Sequence, residues 1–288
     1  MRTQLGSCSV IGMNQPQVNL PRVGAAMPIA LLPTYRDWLL DGNRDLEIQD
    51  PFRPEFLDGD WTEAVQAVKT ALSGYSGRMG IHGPFDGLAL MSFDPEVRAV
   101  SSNRLTQALN FAGEIDATHM VVHSPISAFG HAFVPYQPAY KKEDFIGRFH
   151  QTLELPLKKA EQIGCTLVVE NIQDLNPALW IELIRSFNSE YVRASIDVGH
   201  AFIMHQYGGA PPDAFVREAG NMLAHLHLQD TDGLTDRHWR LGKGNVNWYA
   251  LFDALKSIES QPRHILEMRN YDDIAPAAAY LKQNGLAI

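Results

Sequence analysis

Six short apolar runs in this 288-residue chain end on a side chain that can bind a metal ion or move a proton. MGIH ends at His82, HMVVH at His123, TLVVE at Glu170, ASID at Asp197, LAHLH at His227 and HILE at Glu267. One acid or histidine at a strand end is an ordinary loop contact, but six in register need a common cause. Carboxylates drawn together without a cation repel one another, and their pKa values rise. A divalent ion removes that penalty, and mixed nitrogen and oxygen donors suit Zn²⁺, Mn²⁺, Co²⁺ or Fe²⁺ better than Ca²⁺. His200 follows in DVGH, and DRH sets Asp236 and His238 two residues apart. An extended segment would turn those two side chains the same way, as chelation requires. Arg240 and Lys243 are the cations nearest these residues and are candidates for a substrate phosphate or hydroxyl.

For such residues to meet, the runs that carry them must be neighbouring strands. Candidate strands fall at 23–27, 46–49, 79–82, 120–123, 166–170, 193–197, 223–228 and 265–268. Amphipathic stretches such as WTEAVQAVKTALS, EDFIGRFHQTLELPLKKAEQIG, ALWIELIRSF and NWYALFDALKSI lie between them, with apolar residues at helical spacing. Eight strands alternating with helices predict a parallel sheet, and eight units suit closure into a barrel. The expectation is therefore an α/β chain: an irregular segment at 1–21, then a single (β/α)8 TIM barrel domain at 22–288. Longer connections are expected at 124–140, 201–212 and 229–247, each following a strand and so on the face where barrel enzymes place their active sites.

The formal net charge of −9 provides no general basic field for a phosphate backbone. The first 21 residues lack the basic start and apolar stretch of a signal peptide, and no run approaches the ~20 apolar residues of a membrane span. Two cysteines make no disulfide framework, and Cys165, in CTLVVE, reads as a buried thiol. Together these predict a soluble cytoplasmic protein with no membrane partner; a homo-oligomer is possible. Other histidines carry less weight. His225, two residues before His227, is expected one layer deeper as a hydrogen-bonded core residue, and His119 towards the far end of the barrel. His264 has the wrong parity, His150 lies in a helix, and His131 and His205 fall in loops. Phe85, Phe93, Phe129, Phe133, Tyr136, Tyr140, Phe202, Tyr207, Trp239 and Trp248 crowd the active-face loops, where they would cap the core or wall off a small polar substrate.

IHGPF, VVHSP, VVENIQD, SIDVGHAF, HLHLQDTDG, DRHWRLGKGNVNW and ILEM, in this order and spacing, resemble the xylose isomerase-like TIM barrel superfamily. That superfamily includes sugar phosphate isomerases and epimerases and the endonuclease IV group. The ketose epimerase pattern implies Glu170, Asp197, His227 and Glu267 around one metal, with His200 contacting substrate. The endonuclease IV pattern implies that His82, His123, His200, Asp236 and His238 complete a three-metal cluster in which Glu170 bridges two ions. Where that group carries GAHVS, KNQR, ENTAGQG and LDTCH-type segments, this chain has VGAAMPIA, LLPTYRDWLL, ENIQDLN and IDVGH. These departures weigh against a nucleic-acid partner.

The resemblance therefore implies a divalent-metal-dependent isomerase or epimerase of a sugar, sugar phosphate or keto-polyol. Mn²⁺, Zn²⁺ or Co²⁺ would be the cofactor, with more than one ion per chain possible. Proton transfer would pass through an enediolate, with Glu170 and Glu267 as general base and acid on opposite sides of the reacting carbon. Arg240 is the expected substrate-binding cation. The alternatives are an endonuclease IV-like multinuclear zinc phosphodiesterase at abasic DNA, or a related small-molecule lyase or hydrolase.

Overall fold

A computed structural model describes residues 20–127 and 142–288. Its strands are β1 (Val23–Met27), β2 (Leu46–Ile48), β3 (Met79–His82), β4 (His119–His123), β5 (Thr166–Glu170), β6 (Val192–Asp197), β7 (Leu223–Leu228) and β8 (Arg263–Leu266). All neighbours pair in parallel, and β8 returns to β1, so the sheet closes as a (β/α)8 barrel in strict chain order. Helices α1 (Leu32–Leu40), α2 (Pro54–Leu57), α3 (Thr62–Ala71), α4 (Pro95–Glu114) and α5 (Lys142–Ile163) surround the first half. Around the second half lie α6 (Pro177–Arg185), α7 (Val198–Gln206), α8 (Pro212–Ala219), α9 (Trp248–Leu255) and α10 (Ile274–Gln283). No helix among the described residues is long and apolar enough to cross a membrane.

The strands are buried on both faces because helices cover one side and the barrel lumen fills the other. Outward residues such as Met120, Val122, Leu167 and Val169 join a core completed by Leu105 and Leu109 of α4, Phe149 of α5, Trp180 of α6 and Phe215 of α8. Helix starts are written locally: Asp94, Asn176, Asp197 and Asn247 each accept a hydrogen bond from a backbone N–H of the first turn. Cys165 is buried, as expected, and burial pushes its thiol up to about 12.

β4, β6 and β8 begin one or two residues earlier than the sequence expectation, at His119, Val192 and Arg263, and three differences bear on the mouth of the barrel. β2 stops at Ile48 and β8 at Leu266, so Gln49 and Glu267 stand just beyond their strands at the barrel mouth. The connection expected at 201–212 is largely helical, because Asp197 caps α7 directly and the apolar segment Val198–Gln206 winds up on the end of β6. His205 accordingly lies on a helix, where its Nδ1 is 2.8 Å from the Gly209 carbonyl oxygen. His131, Phe129, Phe133, Tyr136, Tyr140 and Cys8 lie outside the described residues.

The closed sheet leaves no room at Gly24, where a Cβ would stand 1.8 Å from the backbone oxygen of Asp45. That oxygen also accepts the Ala25 N–H, so it cannot retreat without parting β1 from the residue before β2. Gly24→Ala is expected to cost about 1–3 kcal/mol of stability. An unchanged urea midpoint would show that the β1–β2 seam has slack.

Candidate metal centre

In a barrel, residues of one parity at the strand ends converge on a single ring. His123 pairs with Glu170 and Asp197 with His227 in the strand register, so these side chains share a level on adjacent strands. His82 closes β3, and Glu267 enters one residue after β8. Asp197 does two jobs there: it ends β6, and its Oδ1 accepts the His200 N–H at 2.6 Å, fixing His200 in the first turn of α7.

The hub of the group is Glu170, 1% exposed. His227 Nδ1 and His200 Nδ1 lie 3.3 and 3.4 Å from its Oε1, and His82 Nε2 and His123 Nε2 each lie 3.8 Å from its Oε2. His227 Nδ1 also stands 3.3 Å from Glu267 Oε2, so one ring nitrogen is flanked by both carboxylates. His200 Nε2 reaches Asp236 Oδ2 at 3.5 Å, and Asp236 Oδ2 is 2.8 Å from His238 Nε2. His238 Nδ1 completes the circuit 3.5 Å from Glu267 Oε2. All nine sequence candidates for a metal or its surroundings thus belong to one continuous cluster.

Three buried atoms in it have no hydrogen-bond partner: Glu170 Oε2, Asp197 Oδ2 and His227 Nδ1. Buried polar atoms are rarely left unpaired, and these are the atom types that ligate a transition metal. Glu170, Asp197 and His227 have donor atoms close enough to share one ion, as do His82, His123 and Glu170, and His82, His227 and Glu267. The residues therefore fit a divalent ion.

The electrostatics point the same way. Burial pushes the Asp197 carboxyl up to about 6, with His200 opposing and the Glu170, Asp236 and Glu267 carboxylates adding to the rise. Burial also acts to raise Glu170, but the His227 and His200 imidazoles beside it hold it well below the usual carboxylate range. Burial disfavours charge on His200 and His227, yet the surrounding carboxylates lift both well above the ordinary histidine value. His238 is raised to about 9 against burial, by Glu267 and Asp236. Protonated imidazoles here supply the positive charge that the carboxylates demand.

Several positioning groups had no distinct sequence signal. Gln229 donates to Asp236 Oδ1 at 2.6 Å and to Asp197 Oδ1 at 3.3 Å, while its Oε1 accepts the His238 N–H. Gly199 of DVGH makes room for it, since a Cβ there would stand 2.3 Å from the Gln229 carboxamide. Asn171 binds the Asp197 backbone through both its amide atoms. Gln49 donates to Glu267 Oε1 at 3.2 Å and accepts from the Tyr271 hydroxyl. Asp-x-His is not extended: His238 has φ +48°, and a turn, not strand alternation, brings its ring to Asp236.

Phe85 stacks on His123 at 4.5 Å and on Phe52 at 5.6 Å, forming an apolar wall beside the cluster. Trp248 is instead buried, its Nε1 donating to Asp230, and so belongs to the loop anchor. Arg240 is exposed, and the Lys243 ammonium lies over the Trp239 ring. Arg269, not singled out from sequence, also comes beside the cluster, its guanidinium 3.5 Å from the Asp236 carbonyl oxygen. His225 is a buried core histidine, 2.8 Å from Ser195 Oγ, and His264 is buried against Phe252. His150 stacks on Phe187 on the outer face of α5.

A closed parallel barrel with carboxylates and imidazoles gathered at its C-terminal mouth defines the class as a barrel with a candidate metal centre. Residues 44–284 match the model of the xylose isomerase-like TIM barrel family, and the chain belongs to that family. The uncharacterized protein MJ1311 of Methanocaldococcus jannaschii is 24% identical over 218 residues, covering 73% of this chain and 70% of its own. Among solved structures, the TTHB071 protein of Thermus thermophilus, soaked with ZnCl2, superposes with a TM-score of 0.67 at 26% identity, covering 91% of this chain and 96% of that one. A D-tagatose 3-epimerase-like protein gives 0.73 at 21% identity, again covering 91% and 96%. Other sugar epimerases share the fold.

An ion entering this centre must displace the protons that the histidines hold. His227, the imidazole among the four proposed ligands, is held well above the ordinary histidine value by the carboxylates around it, so binding should release protons and tighten as pH rises. The gain should be about tenfold per pH unit for each proton displaced. Chelator competition with Mn²⁺ at several pH values measures this; an affinity that ignores pH would contradict the protonated, ion-free cluster.

Proposed function

We propose that the chain is a divalent-metal-dependent isomerase or epimerase of a sugar, sugar phosphate or keto-polyol. The observation that carries this reading is the placement of the Glu170 and Glu267 oxygens, each 3.3 Å from the same ring nitrogen of His227. Two carboxylates flanking one small volume are what proton removal and return at a single carbon need. Glu170, Asp197, His227 and Glu267 would hold the ion. When bound, it supplies Lewis acidity that acidifies the carbon-bound proton of a coordinated ketose.

The protein's own residues do the rest. Glu170 and Glu267 exchange the proton, and Gln49 and Tyr271 hold the Glu267 carboxylate in its orientation. His200, between Glu170 and Asp236, faces the substrate hydroxyls. Phe85 excludes water from one side, which strengthens every charge interaction in the mouth. Arg240, on the same connecting segment as Asp236 and His238, is assigned to the far end of the substrate. The epimerase and epimerase-like proteins among the structures that share this fold support the isomerase or epimerase reading, with a small-molecule substrate.

A second reading rests on the His82, His123 and Glu170 group, whose donor atoms lie close enough to share a further ion beside the first. It makes the chain a multinuclear zinc phosphodiesterase acting on abasic DNA.

Metal analysis of protein purified without chelator separates the two. About one ion per chain, with exchange of ketose C–H protons in heavy water, is the expected result; about three zinc ions with nicking of abasic duplex would replace it with the second reading. Glu170→Gln and Glu267→Gln should each lower turnover by about 10²–10⁴-fold. Normal turnover in either variant would refute the two-carboxylate scheme.

A further inference from the structure

Beneath the candidate metal centre lies a second buried polar group that the strand-end pattern does not announce. Glu47 sits in the middle of β2, flanked by Leu46 and Ile48, and is fully buried. Its Oε1 is 2.9 Å from His227 Nε2, and its Oε2 is 3.0 Å from His225 Nε2. His225 is itself held from the other side, with Nδ1 2.8 Å from the Ser195 hydroxyl. The His119 ring closes the remaining side, its Nε2 3.8 Å from Glu47 Oε2. That ring fills the space above Gly80, where a Cβ would stand 2.0 Å from it. Glu47 is therefore confined: its Oε1 pairs with His227 Nε2, while Oε2 faces the His225 and His119 rings without a well-formed hydrogen bond.

We infer that Glu47 is a positioning residue that dictates which nitrogen of His227 is offered to the metal. An ionised carboxylate only accepts hydrogen bonds, so the His227 nitrogen facing Glu47 carries the proton. Once an ion displaces the ring's second proton, the lone pair is left on Nδ1, the nitrogen that lies 3.3 Å from both Glu170 and Glu267 and has no hydrogen-bond partner. The carboxylate also draws on the Nε2 proton and makes Nδ1 a stronger donor, as carboxylates behind metal-bound histidines do. The chain Ser195–His225–Glu47–His227 thus runs from the barrel interior to the ion and fixes both the tautomer and the tilt of the last ring.

Glu47, His119 and His225 also have the composition of a metal triad of their own. Arg263, half-buried, adds its positive charge to the burial that already depresses His119, and it opposes a cation at that depth. The carboxylate is better occupied as the partner of His227.

The inference rests on His227 being a metal ligand, and the test keeps the two ideas apart. In the full chain loaded with Zn²⁺, long-range ¹H–¹⁵N spectra of labelled histidine should show His227 with zinc on Nδ1 and a proton on Nε2. Zinc on Nε2 would overturn the inference. By competition against a chromogenic chelator, Glu47→Gln should weaken Zn²⁺ about 10- to 100-fold, with circular dichroism checking that the variant folds. Unchanged affinity in a folded variant overturns the role of Glu47 and leaves the metal centre standing. No binding of any divalent ion by the unaltered protein removes both. Anomalous scattering from an ion among Glu47, His119 and His225 also overturns it, since Glu47 would then be a ligand itself.

Discussion

A carboxylate taken out of water costs several kcal/mol unless opposite charge or hydrogen-bond donors meet it. Four of the carboxylates this barrel buries face its lumen and the cluster at its mouth: Glu47, Glu170, Asp197 and Glu267, none more than 8% exposed. The arrangement around them follows from that cost. His227 stands between levels, one nitrogen on Glu47 and the other between Glu170 and Glu267, so a single imidazole serves three acids. His200 performs the same service between Glu170 and Asp236. Gln229 and Asn171, which cannot ionise, supply directed donors where another charge would add to the burden.

The barrel was legible in the sequence because its strands carry a simple signal. Parallel strands covered on both faces read as short apolar runs, and an ionisable residue at the end of each run marks the C-terminal edge of the sheet. Misplaced boundaries at the mouth fell where the side-chain pattern continues past the hydrogen bonds, at Gln49 and Glu267. Glu47 escaped notice because it lies inside a three-residue strand and not at its end. Its signal was parity alone: it shares a face with Gln49 and stands between two apolar neighbours, an odd place for a charge without a partner. Gln229, Gln49 and Tyr271 were invisible for another reason. Their contacts join residues 7 to 222 positions apart, and amides and phenols carry no marker of the partner they will meet.

The turn at Asp236–His238 shows the limit of local rules. Two residues spaced i and i+2 share a face in a strand, which was the reason to pair them. They do meet, but through a backbone that the strand rule excludes, with His238 in the left-handed region. The loop pins that geometry itself. Buried Asp230 accepts from the N–H groups of Gly242 and Val246 and from Trp248 Nε1, and its backbone bridges to Trp239. The strain of one residue is thus carried by an anchor several residues away.

Asp197 ends a strand, caps a helix and faces the cluster, all with one short side chain. A residue so committed gives evolution no partial moves: any replacement disturbs fold and chemistry together. The 229–247 segment is different, since it holds its shape through its own anchor. Descendants of such a barrel can change what they act on by rewriting the exposed positions of that segment, such as Leu234 and Arg240, while Gln229, Asp236 and His238 keep the centre in place. The architecture divides inheritance into a part that must be kept whole and a part free to explore.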